Sequence, residues 1–141
     1  EARAVATTVC TLRDRWGVRV LESSVLRVLT FYSAQVECIT EALRVAGVRG
    51  VSVSSVDGSQ GAEADVVLLS FVRANASHAI GFVSEFRRLN VAITRARAAR
   101  IAFGHARTLR ALRGDGADAV AGMVRAAEAE HSLYPEAAVG S

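Results

Sequence analysis

The run Val66-Val-Leu-Leu-Ser-Phe71 limits what this chain can fold into more than any other segment. A strand with one face in water alternates apolar and polar residues, whereas a run apolar nearly throughout needs cover on both faces. Helices on either side of a parallel sheet give that cover, and the chain supplies helices and strands in alternation. Val5, Val9, Leu12 and Trp16 recur at helical spacing and predict an amphipathic helix over 2–16, ending before Gly17. Val25–Phe31 reads as a strand. Val36, Ile39, Leu43 and Ala46 then mark a second helix, closed by Gly47 as its C-terminal cap. Val51–Val56 alternates like a strand with one polar face, and Phe86, Leu89, Ile93 and Ala96 mark a third helix. Ile101–Phe103 reads as a short strand ending at Gly104, and 106–113 and 117–130 as helices around Gly114-Asp-Gly116. The expected class is therefore α/β, a parallel sheet flanked by helices. In such sheets functional groups gather at the carboxyl ends of strands, which directs attention to 57–65 and 72–85.

A chain of 141 residues suits one such domain, and 51% apolar residues with a single proline are enough for a real core. No apolar run approaches the roughly 18–20 residues of a membrane span, so no membrane role is expected. Glu1–Arg3 is charged and lacks the apolar block of a signal peptide. Cys10 and Cys38 lie in helical, apolar stretches without CxxC spacing and read as buried free thiols, which suits a cytoplasmic or nuclear protein.

Charge is unevenly placed. Residues 1–72 hold seven Arg against eight acids, 73–113 nine Arg against one acid, and 114–141 one Arg against five acids. The middle segment, at +8, is what a phosphate-rich partner requires, although a solvated basic helix would look the same. All 17 cationic side chains are Arg. A phosphate loop of the G-x-x-x-x-G-K-[ST] type needs lysine. By that route this chain alone is not a complete nucleotide-hydrolysing engine.

Three segments carry candidate chemistry. In Leu29–Gln35 a strand runs into a helix, placing Thr30, Tyr32, Ser33 and Gln35 near helix N–H groups that suit phosphate; the plainer reading is helix capping. In Val56-Asp-Gly-Ser-Gln-Gly-Ala-Glu-Ala-Asp65 the glycines permit close backbone approach to a ligand. There Gln60 can donate and accept, and Glu63 can accept from a sugar hydroxyl. Its plainer reading is a loop capped by Asp57 and leading into a helix that Glu63 starts. In Arg87–Arg97, Arg88 and Arg95 are seven apart on one helical face while Leu89, Ile93 and Ala96 turn inward. A pinned arginine there can neutralise a transferring phosphoryl group. Arginines of this kind more often pair with Asp or Glu, or snorkel into water.

The runs 56–63, 66–75, Ile80-Gly-Phe82, 87–97 and Phe103-Gly104 resemble motifs V and VI of superfamily 1B helicases. The likeness is greatest to the nonsense-mediated-decay helicases and to the senataxin and immunoglobulin-μ-binding types. Thr30-Phe-Tyr-Ser-Ala-Gln35 resembles motif IV, and the likeness spans roughly residues 1–112. It implies the second RecA-like lobe of a P-loop NTPase fold, without the phosphate loop, over 1–131, with 132–141 as a tail. It implies Arg95 as the arginine finger on the γ-phosphate and Glu63 as the acid on the ribose. Gly61 and, less directly, Arg88 would also serve ATP. Gln60 would couple nucleotide state to the bound strand, Thr30 and Ser59 would lie near the nucleic-acid backbone, and Tyr32 and Gln35 would support the cleft. The cofactor implied is ATP with Mg²⁺, the metal ligands coming from a first lobe. The partners implied are that lobe and single-stranded RNA or DNA.

Phe31 stands where motif IV usually has proline, and Ala62 where the decay helicases often carry a basic residue. The first lobe's motifs are absent, so the chain reads as one lobe of a larger enzyme that is inactive by itself. Two rivals are a catalytically inactive module that keeps the fold and binds nucleic acid or protein, and an unrelated Arg-rich structural domain.

Overall fold

The computed structural model describes residues 2–56, 58, 63–71, 91–92, 94–104 and 117–130. Four parallel strands, β1 (Leu26–Thr30), β2 (Ser52–Ser55), β3 (Ala64–Ser70) and β4 (Ala96–Phe103), form one sheet in the order β2-β1-β3-β4. Helix α1 (Ala2–Trp16) and a 3-10 turn (Val18–Leu21) precede the sheet. Helix α2 (Ser33–Val45) joins β1 to β2, and α3 (Ala117–Ala129) follows it in the chain. The expected parallel α/β sandwich is what the chain forms.

β1 steps to β2 in one direction and β3 steps to β4 in the other. Right-handed crossovers in opposite directions put their helices on opposite faces of the sheet. Ile39 and Leu43 of α2 accordingly pack with Val5 and Val9 of α1 against Leu26, Val28 and Leu68. Ala92 and Val124 pack on the other face against Leu29, Val67 and Leu69. Val67, Leu68 and Leu69 are all 0% exposed, the two-sided burial that their composition demands.

Helix α2 ends in a Schellman motif: Val48 N–H donates to Leu43 O at 2.9 Å and Gly47 N–H to Arg44 O at 3.1 Å. Gly47 has φ 78°, the left-handed conformation that its capping role requires. The buried stripe of α2 is Gln35, Ile39 and Leu43, so Ile39 and Leu43 face the core as the spacing predicts, while Gln35 is buried ahead of the half-buried Val36 and Ala46 is the exposed C-cap.

Four expectations need correction. Ala96 does not end a third helix. Helical residues run to Thr94, Arg95 turns, and Ala96 opens β4, five residues before the strand read at 101–103. The pull is tertiary, since β3 needs a partner on its open side and the Ala-rich segment supplies backbone groups regardless of its modest strand propensity. Ala64 begins a strand, so Glu63 does not start a helix. Trp16 lies outside the core at 65% exposure, at the end of α1, whose buried residues all lie between Ala4 and Val9. Cys38 is exposed and Cys10 only partly covered; both are free, and Cys38 sits on the solvent side of α2 next to the buried Ile39. The segment 106–113 and the tail 132–141 lie outside the described residues, and no described helix is long and apolar enough to cross a membrane.

Candidate functional site

The polar groups of interest divide between the two edges of the sheet. At the amino edge of β3 and β4 stand Glu63 and Arg95. Ala64 N–H donates to Arg95 O at 3.0 Å, so the residue before β3 and the residue before β4 are brought side by side. Arg95 is half-buried. Its N–H donates to Ala92 O at 3.4 Å and its Nε to Val91 O at 3.2 Å, which lays the guanidinium back along the preceding helical turn. Its Nη groups make no hydrogen bond within the described residues, and Glu63 is exposed. An anchored guanidinium beside an accessible carboxylate suits a ligand with phosphate at one end and hydroxyls at the other.

The chain passes from helix to strand at Arg95 with a shift of register. Ala64 pairs with Ala96 but Val66 with Ala99, so Arg97 and Ala98 oppose Asp65 alone. Such a bulge locally re-aims side chains. Arg97 Nε donates to Asp65 Oδ1 at 3.0 Å and its Nη2 to Ser24 O at 2.6 Å. Among the described residues of this segment, the arginine that pairs with a carboxylate, as the plainer reading anticipates, is Arg97. Arg97, Asp65 and Ser24 are functional candidates that sequence reasoning passed over. The second arginine of Thr94-Arg-Ala-Arg97 is the only signal, because its partners lie 32 and 73 positions away.

The carboxyl edge of the sheet holds the described residues of the segment 29–35. Thr30 and Ser70 are register partners on β1 and β3, where the winding direction reverses, and both are 0% exposed. Thr30 Oγ1 accepts from Tyr32 N–H at 3.4 Å, a local turn that shapes entry into α2. Thr30 O accepts from Val56 N–H at 2.9 Å, which joins this turn to the end of β2. Tyr32 is the N-cap of α2 without a side-chain cap bond, and its carbonyl accepts from Gln35 N–H at 3.1 Å. Gln35 itself is buried. Phe31 fills the position of the usual proline by packing on Phe71, ring centroids 5.2 Å apart and both rings nearly buried. Gly58 N–H donates to Ser55 Oγ at 3.2 Å.

Seven residues of β3 at about 3.3 Å per residue put the two edges about 20 Å apart. Glu63 and Arg95 therefore lie at one edge and Thr30, Tyr32 and Gln35 at the other, so the candidate residues are not confined to the carboxyl ends of the strands. Ser59, Gln60, Gly61 and Arg88 lie outside the described residues. Among the described residues no cluster of three or more His, Cys, Asp or Glu could hold a metal ion. The Glu41 carboxyl is held below its ordinary range by a hydrogen bond from Arg44, and the pair lies on the solvent side of α2.

A four-stranded parallel sheet between helices, with a winding reversal at its centre and no evident phosphate loop, has the topology of RecA-like P-loop NTPase domains. The chain belongs to the AAA domain family, whose model matches residues 1–107. It is 45% identical over 75 residues to the DNA polymerase alpha-associated DNA helicase A of Schizosaccharomyces pombe, covering 53% of this chain and 11% of that protein. It is 41% identical over 88 residues to regulator of nonsense transcripts 1 of Dictyostelium discoideum, covering 58% and 7%. It is 40% identical over 97 residues to DNA-binding protein SMUBP-2 of Mus musculus, covering 69% and 9%. The chain is a superfamily 1-like helicase domain related to these proteins, and it spans about a tenth or less of their length.

Proposed function

We propose that residues 1–131 form the second RecA-like motor lobe of a superfamily 1B helicase, with motif IV at 29–35, motif V at 56–65 and motif VI at 87–97. The observation that carries this reading is the Ala64–Arg95 hydrogen bond, which sets the motif V acid and the motif VI arginine on one edge. When bound, ATP with Mg²⁺ supplies the phosphoryl group whose transfer drives movement, its metal ligands coming from a first lobe. Arg95 offers its guanidinium to the γ-phosphate and lowers the cost of charge developing there. Glu63 accepts from the ribose hydroxyls, and Gly61 and Arg88 complete the nucleotide contacts. Ser59 lines the path of a single strand of RNA or DNA, and Thr30, itself buried, serves that path only through the turn it braces. Gln60 couples the two ligands, and Tyr32 and Gln35 hold the entry to α2.

Arg95→Ala in the intact helicase tests the reading. ATP turnover should fall on the order of 10³–10⁵-fold while nucleotide binding persists. Near-normal steady-state hydrolysis would reject the finger assignment.

A further inference from the structure

We infer that Arg97 is a positioning residue for Arg95, acting as a latch across three segments of the fold; this rests on the motor-lobe reading above. Motif VI makes an abrupt change, from helical residues ending at Thr94 to a strand at Ala96. Arg95 sits at that joint and needs a fixed backbone if its guanidinium is to meet a phosphate reproducibly. Helix on one side cannot fix it alone, because the last turn of a helix frays. The strand side is fixed by the bulge and by what the bulge presents.

The bulge sets Arg97 and Ala98 against Asp65, and the Arg97 guanidinium uses two of its nitrogens at once. Nε binds Asp65 Oδ1 on β3, and Nη2 binds Ser24 O in the turn before β1. Ser24 O also accepts from Asp65 N–H at 3.2 Å. One side chain thus ties β4 to β3 and to the entrance of β1, two residues beyond Arg95 and next to the Ala64–Arg95 bond.

Stability does not account for the arrangement. The Arg97 and Asp65 side chains are 47% and 49% exposed, and exposed ion pairs of this kind add little to folding. Geometry accounts for it better. A planar guanidinium satisfies two acceptors in a fixed fork, and a lysine ammonium does not reproduce that fork.

The test uses the full-length helicase that carries this lobe, with Arg97→Lys and Arg97→Gln made alone and on an Arg95→Ala background. Both variants should lower kcat about ten- to a hundredfold, the cost of a misplaced catalytic group, with KM for ATP and strand affinity little changed. Neither should lower the residual single-turnover rate of Arg95→Ala any further. Wild-type kcat for Arg97→Lys would show that charge suffices and overturn the latch. So would a loss of strand affinity that tracks the loss of rate, or a further loss on the Arg95→Ala background. Normal turnover by Arg95→Ala itself overturns the motor-lobe reading and the latch with it. Loss of turnover in Arg95→Ala with normal kcat in both Arg97 variants overturns the latch alone. Should Arg97→Gln fail to fold, Asp65→Ala removes one acceptor with Arg97 in place. A lowered kcat with unchanged KM then supports the latch, and an unchanged kcat overturns it.

Discussion

Ala64 and Arg95 are 31 positions apart in the chain, and the N–H of one donates to the carbonyl of the other at 3.0 Å where β3 and β4 begin. Each has a candidate ligand group within one residue: Glu63 precedes Ala64, and the other group is Arg95's own side chain. Ala64→Pro deletes this donor at the first residue of a strand, a position where proline is otherwise tolerated. Leaving Arg95 O unpaired should cost about 1–3 kcal/mol of stability. Turnover in the intact helicase should fall as well, even where the protein remains folded. Full activity in the folded proline variant would mean that the bond does not set the position of Arg95.

Glu63→Gln separates a nucleotide role from an idle surface position. Glutamine keeps the shape but loses a charge-assisted bond worth roughly 1.5–3 kcal/mol. Nucleotide affinity in the intact helicase should weaken about ten- to a hundredfold. Because Glu63 precedes a strand and is exposed, the melting temperature should hardly move. Unchanged affinity would remove Glu63 from the site.

The isolated chain should bind single strands weakly and in a salt-dependent way, since residues 73–113 carry nine Arg against one acid. Each phosphate neutralised releases counterions, so log affinity should fall with log salt at a slope of about −0.7 per contact. A fluorescence titration that gives equal affinity at low and high salt would contradict this.

The Phe31 ring rests on that of Phe71 at the point where the winding reverses. Phe31→Ala should destabilise the domain by about 3–5 kcal/mol, as large-to-small changes of buried aromatic rings do. Chemical denaturation measures it. A loss under about 1 kcal/mol would mean that the site collapses around the missing ring.

Much of this architecture is legible from residue order alone. Val66–Phe71 reads as a strand covered on both faces and Gly47 as the end of a helix, because two-sided burial and a left-handed cap are local demands with local signatures. The resemblance in 56–63 and 87–97 singled out Glu63 and Arg95 for the same reason, since each motif lies within one short stretch. What lies between the stretches was not legible. Spacing puts Ala96 inside a helix, and the plainer of two readings of 56–65 starts a helix at Glu63; pairing between β3 and β4 decides otherwise for both. Helical period and strand pairing compete for the same residues there, and the unpaired side of a buried strand wins because its backbone groups must find partners. Arg97 shows the limit most clearly. Its residue type says only that it is a cation. Its role comes from Asp65 and Ser24, distant in sequence, which the sheet carries to within hydrogen-bonding distance.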